Sequence, residues 1–150
     1  MPDHSRVWVY QANRPFSTSE TQAIENYLKP ALTQWAAHGA GLNASFEIRF
    51  QQVIVIAVDE TINAASGCSI DASTRWFKEM GAALGIDFFD RSTAIVEGDE
   101  VILLPLTALK NNPLLTPSKD VIPLQTESLG AYRSGWLQRA DSTWLKRYFA

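Results

Sequence analysis

The feature that most constrains this chain is a run of six apolar residues, VIVIAV, at positions 53–58. A strand that is apolar at every position has to be covered on both faces, so the run predicts a central strand of a buried sheet. The segment just before it, residues 45–50, alternates apolar and polar side chains, which predicts a strand with one exposed face. The chain therefore has to supply cover for both faces of one sheet.

The first strand and the first helix are predicted from the segment that precedes this pair of strands. Residues 6–11, RVWVYQ, are mostly β-branched and aromatic, as is typical of a strand. Ser17 followed by Glu20 forms a capping box, which predicts the start of a helix. Apolar residues then recur at intervals of three and four, and Gly39 is the expected end of the helix.

The second helix and a hairpin complete the pattern. We expect the helix to run from about Ala72 to Leu84 with Gly85 as its stop, and strands at 93–96 and 101–104 flank a hairpin turn at Glu97-Gly98-Asp99-Glu100. The element order is β-α-β-β-α-β with one extra strand, which is the split arrangement of ferredoxin-like α+β folds. In that topology the first and third strands are central, the second lies at an edge, and both helices cover one face.

The C-terminal segment is expected to wrap around this core. Four of the seven prolines lie between Pro105 and Pro123, which favours extended structure, and a short helix around Trp144 is expected to be capped by Asp141 or Ser142. A chain of 150 residues fits one domain, with a core at 1–106 and a wrapping segment at 107–150. Either this segment or a second subunit covers the remaining face of the sheet, so a homodimer through the sheet is one alternative.

Charge and composition limit the partners and the location. The net charge of −3 and a pI near 5.3 disfavour nucleic-acid binding, although basic and aromatic residues alternate in the tail. The first residues lack the layout of a secretory signal, and no apolar run approaches the roughly 20 residues that span a bilayer. We therefore expect a cytoplasmic protein that binds a small molecule or another protein and does not enter a membrane.

Metal and cofactor sites are not expected. One cysteine and two histidines do not make a usual zinc site, and the sequence contains no Walker nucleotide motif. Four acidic residues close to strand or helix ends could bind Mg²⁺ or exchange protons if they shared one rim; ordinary loop and cap chemistry is the other interpretation. These residues are Asp59, Glu60, Asp87 and Asp90.

The segment around Cys68 is the most suggestive of chemistry. Cys68 is expected just before the second helix, where free amides and the helix dipole stabilise a thiolate. His38 could act as its base, oriented by Asp59, Asp71 or Asp90, which would make Cys68 a nucleophile. The alternative is that Cys68 is a small buried side chain and that Ser69 or Asp71 caps the helix.

The same segment could bind an anion without any catalysis. Backbone amides between Gly67 and Asp71 would face a phosphate at the helix N-terminus, with Gly67, Ser69 and Arg75 as candidate ligand-binding residues. Cys68 and Arg75 are separated by six residues, whereas a cysteine phosphatase loop requires five, so that chemistry is not expected.

Four stretches of the chain resemble a known family. They are WVYQANR at 8–14, WAAHG at 35–39, ASGCSID at 65–71 and GIDFFDR at 85–91. The resemblance, which spans roughly residues 8–106, is to a family of short, uncharacterised bacterial proteins, some of which carry the automatic label ABC transporter ATPase. It implies no catalytic or binding residues, and the missing Walker motif gives no support to ATPase activity.

These observations lead to three hypotheses about function. The first is a non-enzymatic binding or interaction domain, because no complete catalytic motif is present. The second is an enzyme or redox-sensitive protein that uses Cys68, with His38 as base and Asp71 nearby. The third is a domain that binds an anion or a phosphate-bearing ligand at the start of the second helix.

Overall fold

The computed structural model describes residues 1–37 and 39–149 and combines helices with several antiparallel sheets. The strands are β1 Arg6–Gln11, β2 Ala36–Ala37, β3 Ala40–Gly41, β4 Asn43–Arg49, β5 Val53–Asp59, β6 Thr93–Glu97, β7 Glu100–Leu104, β8 Asp120–Val121 and β9 Gln138–Arg139. The α-helices are α1 Thr18–Gln34, α2 Gly67–Leu84 and α3 Leu129–Arg133, and short 3₁₀ helices lie at Leu106–Ala108, Ala140–Ser142 and Trp144–Tyr148. The α+β class is confirmed. Among these helices none is both long and apolar enough to cross a bilayer.

The VIVIAV run lies at the centre of the first sheet, as predicted. This sheet has the strand order β1-β5-β4, and β5 pairs antiparallel with both neighbours. All six residues of the run are buried, whereas β4 at the sheet edge alternates between exposed and partly buried side chains. The difference follows from position, because only the middle strand is covered on both faces and along both edges.

Both faces of this sheet are covered by the chain itself. Helices α1 and α2 pack on one face, where Ile24 and Phe77 meet Ile54 and Ile56 of β5. The other face packs against β6 and the C-terminal segment; the buried side chains there include Val55, Ala94, Ile122, Leu129 and Trp136. The sheet face therefore does not need a second subunit for its cover.

The second sheet has the order β7-β6-β8-β9 and forms a further layer. The hairpin between β6 and β7 turns at Gly98, as predicted, and pairs Glu97 with Glu100. Ile95 of β6 is fully buried in a third cluster against the C-terminal 3₁₀ helices, which also contains Leu145. The last of these helices is capped by Thr143, not by Asp141 or Ser142.

The ferredoxin-like topology is not confirmed. In that topology the fourth strand would lie beside the first, but β6 belongs to the other sheet, so β1 is at an edge and not in the centre. Within residues 1–37 and 39–149, the outer side of β1 has two isolated bridges, one from Arg6 to Ser128 and one from Gln11 to Phe89. These described residues therefore occupy the place of a fourth strand at its two ends and not along its middle.

The two long helices differ from prediction mainly in their ends. The capping box of Ser17 and Glu20 is present at the start of α1, but α1 ends at Gln34. Trp35, the next residue, is extended and buried, and its indole N–H donates to the carbonyl of Ser69 at 2.8 Å. Gly85, the predicted stop of α2, has φ +67°, the left-handed conformation that glycine adopts without strain.

The start of α2 lies five residues before the expected position at Ala72. The first helical residue is Gly67, because Ser66 is the N-cap and forms a reciprocal capping box with Ser69. The hydroxyl of Ser66 accepts from the amide of Ser69 at 3.2 Å, and the hydroxyl of Ser69 accepts from the amide of Ser66 at 2.6 Å. Cys68 is thus inside the helix, not in front of it, and the cap is neither Ser69 nor Asp71.

Candidate functional site

Cys68 is the second residue of α2, and its side chain is exposed. It lines a groove of about 670 Å³ between α1 and α2, together with Tyr27, Trp35 and Trp76. The interpretation of Cys68 as a buried core residue is therefore wrong, and its thiol is accessible. Burial and the carboxylate of Glu79 raise the pKa of Tyr27 to about 12, so this phenol stays neutral at ordinary pH.

The other predicted site residues do not gather around the thiol. Gly67, Asp71 and Arg75 are exposed and do not line the groove. Ser69 does line it, but its hydroxyl is engaged in the helix cap. His38 lies outside the described residues, so its pairing with Cys68 stays a prediction. In the part of the chain that is described, the groove offers no partner that could act as a base beside Cys68.

The four acidic residues do not share a rim. Asp59 ends β5, whereas the amide of Asp90 donates to Gln11, which pairs with Val53 at the start of β5. A strand of this length spans about 20 Å, so the two carboxylates lie near opposite ends of the sheet. Each accepts local backbone bonds: Asp59 from Thr61 and Asp90 from Ser92. Within the described ranges, no group of three or more His, Cys, Asp or Glu could hold a metal ion.

A different site lies along the outer edge of β1. The amide of Val7 donates to Glu127 at 3.0 Å, and the carbonyl of Gln11 accepts from Asp90 at 3.1 Å, so both residues point away from β5. Alternate residues of a strand direct their backbone groups to the same side, and Val9 therefore faces this edge too. Its N–H and C=O have no backbone partner there among residues 1–37 and 39–149.

These free backbone groups open into a cleft of about 660 Å³. Its walls are the segment from Phe88 to Arg91 on one side and the segment from Leu124 to Glu127 on the other. Aromatic side chains of β1 and of the adjoining segment line the cleft. The guanidinium of Arg6 lies 4.8 Å from the ring centre of Trp8. Phe89 is exposed and meets the ring of Tyr10 edge-on. The cleft thus joins strand-edge hydrogen-bonding groups to apolar contact surface.

Gln11 adds an unusual polar group to the cleft that it lines. Its side-chain amide donates to the carbonyl of Ser92 at 2.9 Å and to that of Asp90 at 3.3 Å, which fixes the orientation of the side chain. The side chain is 1% exposed, and its oxygen Oε1 has no hydrogen-bond partner within the described part of the chain. An unpaired buried acceptor costs roughly 1–3 kcal/mol. Because Oε1 has almost no accessible surface, it belongs to the wall of the cleft and is not open to a ligand.

A second cleft of about 520 Å³ adjoins the first. The two share Arg91, Leu124 and Gln125 as lining residues, and the second ends at Trp144, which is 53% exposed. The ring of Trp144 is supported edge-on by Tyr148, with the ring centres 6.1 Å apart. Together the clefts form a path from the edge of β1 to the C-terminal 3₁₀ helix.

The sequence does not predict this site, because the site exists only where no fourth strand pairs with the edge of β1. One signal was present: RVWVYQ ends in a polar residue, Gln11, at a position that the neighbouring segments bury.

Comparison with known proteins adds no identification. No family profile, no curated protein and no solved structure matches the chain significantly.

Proposed function

We propose that this chain is a cytoplasmic binding or interaction domain that takes an extended peptide segment of another protein along the edge of β1. The observation that carries the proposal is the backbone of Val9, which has no hydrogen-bond partner in the described part of the chain and faces a 660 Å³ cleft lined by aromatic side chains. A peptide in extended conformation supplies both the acceptor and the donor that these two groups require.

The edge of β1 suits this role better than the opposite edge of the same sheet. The exposed edge strand β4 carries charged side chains at Glu47 and Arg49, a pattern that discourages pairing with another chain. The edge of β1 has the position that a fourth strand fills in a split β-α-β fold, but here β6 has left that position open. A guest strand would complete the sheet.

The length of the free edge limits the ligand. The hydrogen bond that Val7 donates to Glu127 and the one that Gln11 accepts from Asp90 close the two ends of the edge, which are separated by about 13 Å of strand. A guest would therefore pair over two or three residues and gain the rest of its affinity from the aromatic walls. Each backbone bond contributes only about 0.5–1.5 kcal/mol, so we expect micromolar binding rather than tighter binding.

Dimerisation stays an alternative, but fewer observations now favour it. Since both faces of the first sheet are covered by the chain's own residues, the apolar face no longer requires a second subunit. A second copy could still place one of its strands on the edge of β1. Sedimentation velocity across a concentration series separates these cases, because a dimer formed in this way would block the peptide site.

The experiment that tests the proposal uses a phage-displayed library of random linear 12-residue peptides. Selected peptides are synthesised and titrated against the wild-type chain, Val9→Pro and Val9→Thr. Proline removes the outward N–H that the fold itself does not use, and its ring obstructs the edge, whereas threonine keeps the N–H. We expect Val9→Pro to lose at least about tenfold in affinity while Val9→Thr stays close to wild type.

Circular dichroism shows whether Val9→Pro is folded, and mapping of amide shift changes by NMR places the peptide. Changes centred on Val9 and Gln11 support the proposal. Failure of every peptide to enrich, or equal binding by folded Val9→Pro, overturns it.

A second candidate function is reaction at Cys68. It is favoured by the exposure of this thiol in the 670 Å³ groove between α1 and α2. In this alternative the chain is an enzyme or a redox-sensitive protein, and His38 supplies the base. Binding of an anion or a phosphate-bearing ligand around Gly67 to Asp71 stays a prediction. The alkylation experiment described in the Discussion distinguishes the thiol chemistry from simple exposure.

A further inference from the structure

We infer that the peptide bound along β1 carries a carboxylate that is recognised by Arg91. This inference rests on the proposed function and specifies the chemistry of its ligand. Arg91 is exposed and lies where the two clefts meet, so a chain that passes from the edge of β1 toward Trp144 has to pass it.

The charges of the two clefts locate the carboxylate. The first cleft is lined by two cations, Arg6 and Arg91, and by two anions, Asp90 and Glu127, so it has no overall preference for charge. Among the described residues that line the second cleft, Arg91 is the one that carries a charge. A carboxylate is therefore favoured beyond Asp90, on the Trp144 side of the junction, and is disfavoured in the middle of the β1 edge.

Arg91 is also available for a ligand. No ion pair or hydrogen bond joins its guanidinium to another of the described residues, including its neighbour Asp90, whose carboxylate accepts from the amide of Ser92. By contrast, Arg139 is paired with Asp141 and Arg133 with Asp3. A guanidinium can bind a carboxylate through two parallel hydrogen bonds, which gives direction as well as attraction.

The exposed ring of Trp144 supplies the next contact along this path. An extended peptide would pair with Val9, present its carboxylate to Arg91 and then lay an apolar side chain on Trp144. The expected ligand is thus an extended segment with an acidic residue followed by an aromatic or aliphatic residue. A free C-terminal carboxylate could occupy the same place, in which case the peptide would end at Arg91.

The test repeats the library selection on wild type, Arg91→Glu and Lys78→Glu. Lys78 is exposed on α2 and lines neither cleft, so its variant makes the same change in net charge away from the site. We expect wild type and Lys78→Glu to select peptides with Asp or Glu at one fixed position. Arg91→Glu should lose these peptides by at least about tenfold and select Lys or Arg at that position.

Synthetic versions of one selected peptide separate the two sources of the carboxylate. Replacement of Asp or Glu by its amide weakens a side-chain contact, whereas amidation of the C-terminus weakens a terminal one. If Arg91→Glu selects the same acidic motif as wild type, the inference is overturned. If the selected peptides depend on the backbone of Val9 but show no acidic position, the inference is overturned and the proposed function stands. If no peptide depends on Val9, or if a second copy of the chain occupies the edge, both the inference and the proposed function are overturned.

Discussion

Tyr10 of β1 stacks on Phe77 of α2, with ring centres 3.7 Å apart and ring planes inclined by only 14°. The two hydroxyls of Tyr10 and Ser73 are also hydrogen-bonded at 3.1 Å, and burial raises the pKa of Tyr10. Since Tyr10 lines the cleft as well, the helix layer holds β1 in place from one face. This support explains how β1 keeps its position without a neighbouring strand along most of its outer edge.

Removal of this support should lower stability strongly. Phe77 is fully buried, and Phe77→Ala is expected to reduce the free energy of unfolding by about 3–5 kcal/mol, as is usual for a large core cavity. Tyr10→Phe keeps both rings and loses one hydrogen bond, so it should cost only about 1 kcal/mol. Urea denaturation measures both values. Similar losses for the two variants would contradict the stacking argument.

The two glycines of α2 should respond in opposite ways to alanine. A Cβ added at Gly81 would lie 2.5 Å from the backbone carbonyl of Ile86, whereas one added at Gly67 would meet open space. Gly81→Ala therefore has to displace backbone, and we expect a loss of about 1–3 kcal/mol or more. Gly67→Ala should be neutral or should stabilise by up to about 1 kcal/mol, because alanine favours helix. Thermal denaturation of the pair provides the comparison, and equal stability of the two variants would be inconsistent with the close approach at Gly81.

The parts of the fold that were predicted correctly depend on local chemistry. The capping box of Ser17 and Glu20, the stop at Gly85 and the central position of VIVIAV each follow from a few consecutive residues. The start of α2 was missed because its capping box pairs two serines, Ser66 and Ser69, a weaker signal than serine with glutamate.

The sheet to which β6 belongs could not be predicted from its own residues. The segment TAIVE indicates a strand, but its partner is decided by the layers that bury Ala94 on one face and Ile95 on the other. The site has the same non-local origin. Cys68 could be singled out from sequence, whereas the open edge at Val9 exists only because β6 pairs with β8 instead of β1.

Acid should weaken the contact between the start of α1 and the end of α2. Arg14 binds Glu20 through two hydrogen bonds of 2.8 and 2.9 Å and also donates to the carbonyl of Leu84. The hydrogen bond from Arg14, supported by the amide of Ser17, lowers the pKa of Glu20 from 4.5 to about 2. A lowered pKa means that the contribution to stability is complete above pH 4.5 and is lost as the pH falls through 2.

Melting temperatures between pH 6 and pH 2 at low salt test this linkage, because salt screens an exposed pair. The wild-type chain should lose more stability across this range than Glu20→Gln, which has no charge to titrate. Glu25→Gln, on the same helix, serves as the control and should follow the wild-type curve. If Glu20→Gln follows that curve as well, the pair does not contribute to the pH dependence.

Alkylation of Cys68 decides between a merely exposed thiol and a reactive one. Because the side chain is exposed, iodoacetamide should modify the folded chain once, without denaturant, and mass spectrometry should find the adduct on Cys68. The binding hypothesis expects a rate close to that of glutathione at the same pH. A rate at least about tenfold faster at pH 7, slowed by His38→Ala but not by His4→Ala, would instead indicate an activated thiolate with His38 as its base. Protection of Cys68 until the chain unfolds would contradict the exposure of its side chain and, with it, the hypothesis of thiol chemistry.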